Sequence, residues 1–307
     1  MTEILTVIVK LSALVFVVAS MLAMGLSLTI PQIIKPLKNI KLLILALLAN
    51  FVVFPAIAYA IVQIMPNISS FSEDNGIAFI VLAMAAGAPF LPKLAQLAKG
   101  NIAYSVGLMT LLMVLSVFIL PIALPLLLPG VEVDAWAIAK SLVITMLIPL
   151  GIGLFIKAKY EEAAKGLQPT FAQASNTALL LMMGVMLVMN ISTILGIVGT
   201  GVLLAGIVFY AFAVAIGYFL AIGAEKPIKS VMALGTGQRN LSAAFVVAVA
   251  NFSHKPDVII TLIVLVIVDL FLLLPLAGQM GKRVAAAKGN GGGTTSNQDN
   301  ASSEAAS

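Results

Sequence analysis

Apolar residues run along the chain in long, unbroken stretches, and the polar residues collect in the short intervals between them. Stretches at about 4–29, 40–64, 76–99, 102–128, 135–158, 172–191, 197–223, 228–253 and 257–281 each match the roughly 17 to 25 apolar residues that carry a helix through hydrocarbon. A membrane β-barrel needs short segments of alternating hydropathy instead, and the sequence has none. The pattern predicts an all-α integral membrane protein with nine transmembrane helices.

Composition agrees. Of 307 residues, 61% are hydrophobic and only 9% are charged, with a mean hydropathy of +1.14. A water-soluble domain carries roughly 25% charged residues, so the exterior of this chain is suited to a lipid bilayer. Residues 1–288 read as one transmembrane domain. From Gly289 the sequence becomes "GNGGGTTSNQDNASSEAAS", and 289–307 are predicted to be a disordered cytoplasmic tail. The first stretch is too long for a signal peptide and holds Lys10, so it reads as a retained helix.

Charge sets the predicted orientation. Lys35, Lys38 and Lys41 follow the first stretch, Lys99 the third, and Lys157, Lys159 and Lys165 the fifth. Lys226 and Lys229 follow the seventh, and Lys282, Arg283 and Lys288 follow the ninth. The second and fourth intervals carry Glu73, Asp74, Glu132 and Asp134. Positive-inside bias then predicts an external N-terminus and a cytoplasmic C-terminus, in an inner or plasma membrane.

Two stretches are interrupted. The third contains Gly87, Pro89 and Pro92, and the eighth contains Gly235 and Gly237 in "ALGTGQRNLSAAF". Proline removes a backbone donor and clashes with the preceding turn. Unpaired backbone at membrane depth survives only within protein or against water. Two matched breaks in oppositely directed helices are the pattern of an inverted-repeat transporter, whose site lies where the broken helices meet. Each break is followed by a cation, Lys93 and Arg239.

The remaining chemistry is sparse. There is no cysteine and a single histidine, His254, so thiol chemistry and a histidine zinc site are excluded, and no enzymatic motif is present. Arginine at the bilayer centre costs about 2.5–3.5 kcal/mol on insertion scales, so Arg239 needs a partner or a polar cavity. Asp269, the one acidic residue deep in a stretch, reads either as its ion-pair partner, or that of Lys93, or as a proton carrier. Arg239, Asn240, Lys93, Gln238 and Thr236 are the candidate substrate contacts. Asn50, Gln63, Asn176 and Asn190 read as interhelical hydrogen-bonding residues.

The sequence resembles the bile acid:sodium symporter family over about residues 12–281. The resemblance is carried by "MLAMGLSLT", by "LAKGNIAYSVG", and by the Gly-x-Gly-x-x-Asn of Gly235, Gly237 and Asn240. It implies incomplete 4+5 inverted repeats, panel and core domains, and two discontinuous helices crossing in the core. It also implies a secondary transporter that moves a small organic anion by alternating access. Sodium is the coupling ion the family implies, yet its sites are altered here. The family's Ser-Asn pair falls on Leu91 and Pro92. Ser105 matches a serine ligand, but the threonine one turn on is Met109. The sodium-binding glutamate falls on Gly235 and the glutamine on Arg239. Lys93 and Arg239 are therefore expected to stand in for the coupling cations, with a proton as the alternative coupled ion and Asp269, Lys93 and Ser105 as coupling residues. An arsenite-exporter-like permease and a membrane receptor or assembly protein are the alternative readings. No nucleic-acid partner, cofactor or metal site is expected, and the sequence leaves substrate identity and oligomeric state open.

Overall fold

Prolines and buried asparagines decide where the helices of this chain bend, widen and stop. In the computed structural model, residues 2–34, 38–131, 133–189, 191, 196 and 199–291 are described. Lys35, Glu132, Asn190 and residues 292–307 of the expected tail lie outside the described residues. Helix α1 spans Thr2–Ser27 and the short α2 spans Ile30–Ile34. The second stretch is α3 (Ile40–Leu48), a π turn (Ala49–Val53) and α4 (Phe54–Ile64). The third is α5 (Glu73–Met84) and α6 (Leu91–Leu97), and the fourth is α7 (Ile102–Leu127). The fifth is α8 (Ala135–Leu142), a second π turn (Val143–Leu147) and α9 (Ile148–Lys159). Then follow α10 (Glu161–Met189), α11 (Val202–Leu220), α12 (Lys226–Gly237), α13 (Leu241–Asn251) and α14 (Pro256–Gly291).

Among the described residues, six helices are long and apolar enough to cross a membrane: Val7–Ser27, Ile40–Asn67, Ile102–Leu127, Ala135–Lys159, Val202–Leu220 and Pro256–Val284. The expected third and eighth stretches are the interrupted pairs α5–α6 and α12–α13, and the expected sixth falls on α10. Lipid-facing rows are visible on individual helices. Phe118, Ile122 and Leu126 of α7 lie four residues apart on one face and are all exposed, as a helix in hydrocarbon requires.

Both π turns precede a proline, Pro55 and Pro149. A proline ring collides with the carbonyl four residues back, here Phe51 and Thr145, and each of these lies within the widened turn. Widening the helix there relieves the clash without ending the span.

The helices form two layers. In one, α1 packs along α10 and α9. Gly25 and Gly153 bring the backbones of α1 and α9 together, and a Cβ added to Gly153 would lie 2.9 Å from the Gly25 Cα. Small residues permit such an approach. Ser175 of α10 donates to Phe16 O of α1 at 3.0 Å. In the other layer, α4, α5, α7 and α11 to α14 enclose the interruptions. From Asn75 to Met84 every residue of α5 is buried, as is every residue of α12 from Ser230 to Gly237.

Candidate functional site at the helix crossing

The first interruption begins where α5 runs out of partners. After Met84 the chain extends through Ala85–Ala88, with Gly87 at φ +82°. A side chain on Gly87 would run into the α7 backbone at Met109 and Met113, so both the left-handed turn and the close approach demand glycine. Ser116 of α7 holds the extended segment in place. Its hydroxyl accepts from Ala86 N at 2.9 Å and lies 3.1 Å from Ala86 O, to which it donates. Pro92 opens the first turn of α6, where its missing N–H costs nothing.

The structure moves the second interruption. Gly235 and Gly237 were expected to break the helix, but α12 continues through both and ends at Gly237. Glycine weakens a helix interior by only about 1 kcal/mol, and burial outweighs that here. The chain opens instead at Gln238 and Arg239. Asn240 then caps α13, its side chain accepting from Ala243 N at 3.1 Å. The two glycines serve packing. A Cβ on Gly235 would lie 3.0 Å from Leu91 Cδ2 and 3.2 Å from Leu108 Cδ2, and one on Gly237 would lie 2.8 Å from Val214 Cγ2.

At the crossing the two openings satisfy each other. Asn240 N donates to Ala85 O at 2.7 Å, and Asn240 Nδ2 donates to Gly87 O at 3.2 Å. Arg239 lies 4% exposed and spends its guanidinium on helix ends. Nε donates to Leu82 O at 3.3 Å and Nη2 donates to Ala83 O, both in the last turn of α5. Nη1 donates to Thr236 O at 3.2 Å, in the last turn of α12, and to Asn50 Oδ1 at 2.7 Å in the first π turn. The Phe54 ring centroid is 5.1 Å from the guanidinium carbon, within cation–π range.

Two helix ends oppose the arginine charge. A helix C-terminus carries an effective charge of about −0.5. Two such ends, α5 and α12, meet at one guanidinium, so a formal +1 faces about −1 of helix dipole. Asn50 also donates from Nδ2 to Ala46 O at 3.0 Å and to Thr236 Oγ1 at 3.2 Å. Asn50 was expected to play only a generic interhelical role. Its position five residues before Pro55, where a π turn is needed, is the signal that sets it apart, since π turns recur at functional sites.

The oxygens here are of the kind a hard cation needs, but Arg239 already bonds them. The position matched to the family's glutamate, Gly235, is packed by Leu91 and Leu108, and Met109 is buried. Ser105 is buried and donates back to Ile102 O at 2.7 Å within its own helix. The residues present do not fit a sodium ion.

Lys93 and Arg239 are not brought together. Leu91, Leu94 and Ala95 take the buried face of α6, which leaves Lys93 on the opposite, exposed face, 5.9 Å from the Phe90 ring centroid. Nor does Asp269 pair with either cation. Among the described residues the ion pairs are Lys157–Glu161, Lys165–Glu161, Lys165–Glu162, Lys255–Glu73 and Lys255–Asp74. Asp269 is nevertheless buried, and its Oδ1 has no hydrogen-bond partner.

These residues border one cavity of about 770 Å³ between the α1–α10 layer and the crossing. Met24 and Ser27 of α1, Lys93 of α6 and Gln168 of α10 line one part of it; Gln238, Arg239, Ser242 and Asp269 line another. The first group comes from the halves of α1, α6 and α10 that adjoin the basic intervals around Lys38, Lys99 and Lys165. Polar contacts tie the helices at the other end. Asp134 N, at the start of α8, donates to Asn251 Oδ1 at the end of α13, at 3.0 Å. Lys255 Nζ lies 2.6 Å from Asp74 Oδ1, and that hydrogen bond is the main cause raising the Lys255 pKa above the ordinary lysine value.

The model of the Sodium Bile acid symporter family matches residues 14–197, and the chain belongs to that family. It is 26% identical over 233 residues to the probable sodium/metabolite cotransporter BASS3, chloroplastic, of Oryza sativa subsp. japonica, covering 74% of this chain and 54% of the relative. The Arabidopsis thaliana protein of the same description is 26% identical over 233 residues, 74% of this chain and 53% of its own length. The chain thus spans about half the length of the curated relatives it matches.

Proposed function

We propose that the chain is a nine-span secondary transporter that moves a small organic anion by alternating access without sodium. Arg239 acts as a permanent cation at the crossing. In this reading α1, α8–α9 and α10 form the panel, the remaining helices form the core, and the two rock about the cavity. The observation that carries it is the set of Arg239 bonds to Leu82 O, Ala83 O, Thr236 O and Asn50 Oδ1. A cation that binds and leaves would have to displace a tethered guanidinium from both helix ends.

Substrate binding falls to other groups. Arg239 has committed four of its five N–H donors, whereas Lys93 is exposed beside the cavity and enters no ion pair among the described residues. Lys93 therefore supplies the charge for a carboxylate or sulfonate, and the first turn of α13, with Ser242 and the dipole of its N-terminus, faces it. Apolar lining from Phe16, Met24 and Leu179 accommodates the rest of the anion. With the basic intervals cytoplasmic, the open cavity faces the cytoplasm and the N-terminus lies outside.

Counterflow tests this reading. Liposomes containing the protein and loaded with unlabelled pyruvate or a small alkylsulfonate should take up the labelled compound faster than protein-free liposomes, and Lys93→Ala should slow that exchange. Absence of exchange for carboxylates and sulfonates alike would count against a transport function.

A further inference from the structure

We infer that Asp269 is a proton-binding site opening on the cavity, and that the proton is the ion coupled to transport. The inference rests on the transporter reading above and supplies what that reading lacks. A covalently fixed cation cannot be released to either side, so it cannot draw on an ion gradient.

Hydrogen-bonding geometry points to Asp269. It sits mid-way along α14, in the same cavity lining as Gln238 and Arg239. Arg239 and Asp269 are the charged residues buried among the described residues, and they form no ion pair. Among the described residues two buried side-chain oxygens have no hydrogen-bond partner, Asp269 Oδ1 and Gln238 Oε1. Both are acceptors when the carboxyl is ionised, and the Gln238 side chain faces Asp269. The nearby hydroxyl that could donate, Tyr210 on α11, is spent on Leu265 O at 3.0 Å. The Gln238 side chain is placed to hydrogen-bond the carboxyl, yet Oδ1 has no donor of its own, and a buried carboxylate oxygen left unpaired is costly. What is missing is one hydrogen. A proton on Oδ1 turns an unpaired acceptor into an O–H donor for an amide oxygen that also lacks one.

The surrounding helices offer no competing base. Tyr210 faces Asp269 from α11, Arg239 from the α12–α13 link, and Lys93 from α6 across the cavity. The acids of α5, Glu73 and Asp74, lie at its far end with Lys255. Lys226 and Lys229 lie in the first turn of α12, at the opposite end from Gln238. The cavity-lining parts of α1, α10 and α13 carry no titratable side chain. Protonation forms one O–H bond on the carboxylate and leaves the cavity one charge more positive; release restores the carboxylate. A proton and an anion therefore favour each other's binding, as linkage requires, which makes the cycle a symport.

The test uses the full chain. An infrared difference spectrum across a titration from mildly acid to alkaline buffer should show a protonated carboxyl C=O band that shifts in heavy water and disappears in Asp269→Asn. In Asp269→Glu, which keeps the carboxyl should Asn impair folding, the band should move but persist. In liposomes, an acid-outside gradient should drive accumulation of labelled pyruvate by the wild type, and Asp269→Asn should retain counterflow but lose accumulation. Identical infrared spectra for wild type and Asp269→Asn would overturn the proton site, and wild-type accumulation that ignores the gradient would overturn proton coupling. Absence of pyruvate counterflow with the carboxyl band intact would count against the transport reading and leave the proton site standing.

Discussion

Arg239 donates to Asn50 Oδ1 at 2.7 Å across 189 residues of sequence, joining the link between α12 and α13 to the π turn before Pro55. This contact makes the arginine part of the crossing and fixes which way it points. Asn50 accepts from the guanidinium and donates to Thr236 Oγ1 on the helix that ends beside it. The π turn after α3, the end of α5 and the end of α12 are thereby held by one side chain.

Asn50→Ala should therefore destabilise the protein. It strips an acceptor from a buried charged donor and a donor from Thr236, and each unsatisfied buried group costs about 1–3 kcal/mol. Asn50→Asp keeps the acceptor and should lose less. Thermal unfolding of the purified variants checks the ranking, and equal melting temperatures for wild type and Asn50→Ala would sink it.

Gly87→Ala should be far more damaging than its size suggests. The residue would hold a left-handed φ and also press Cβ into the α7 backbone at Met109 and Met113. A strained backbone costs about 1–3 kcal/mol before any clash is counted. Yield and monodispersity after membrane extraction should collapse, whereas Gly130→Ala, at the same kind of φ but with open space around it, should be recovered.

Gly235 separates two effects. Gly235→Ala gains about 1 kcal/mol of helix propensity and loses a similar amount by crowding Leu91 and Leu108, so its melting temperature should stay near wild type. Gly235→Glu restores the family's residue but places a carboxylate between two leucines. It should lower stability and confer no sodium-dependent stabilisation. A sodium-dependent rise in its melting temperature would show that the Leu91 and Leu108 packing is not what bars the ion.

Lys255 gives a pH signature at the closed end. Its folded-state pKa is raised, first by the Asp74 hydrogen bond, so its stabilising contribution is fully present below the unfolded lysine pKa. It is lost only as pH rises through the higher folded value. The stability difference between wild type and Lys255→Met should hold constant from neutral pH up to the ordinary lysine range and shrink above it. A difference that fades below that range would contradict the assignment.

Much of this was legible from hydropathy alone, because hydrocarbon leaves little freedom in where a span begins and ends. The first break was readable in Gly87 and Pro89, whose backbone demands are local. The second was displaced by three residues, since glycines within a buried helix can serve packing, and only the Asn240 cap marks where α13 starts. Arg239 stood out as a misplaced charge, but its partners are backbone carbonyls of α5 and an asparagine on another span, and no sequence pattern encodes carbonyl direction. The expected pairing of Asp269 with a cation failed for the same reason. Lys93 was expected beside the crossing from its distance to the break, and it lines the same cavity as Arg239, on the face of α6 opposite Leu91, Leu94 and Ala95.

The central claim is that a tethered guanidinium does what a bound ion does in a sodium-coupled transporter. It is tested most directly by labelled pyruvate counterflow in liposomes with sodium replaced throughout by choline. The account predicts the same initial rate in both media for the wild type. A rate that falls steeply when sodium is removed, and returns when it is restored, would contradict it.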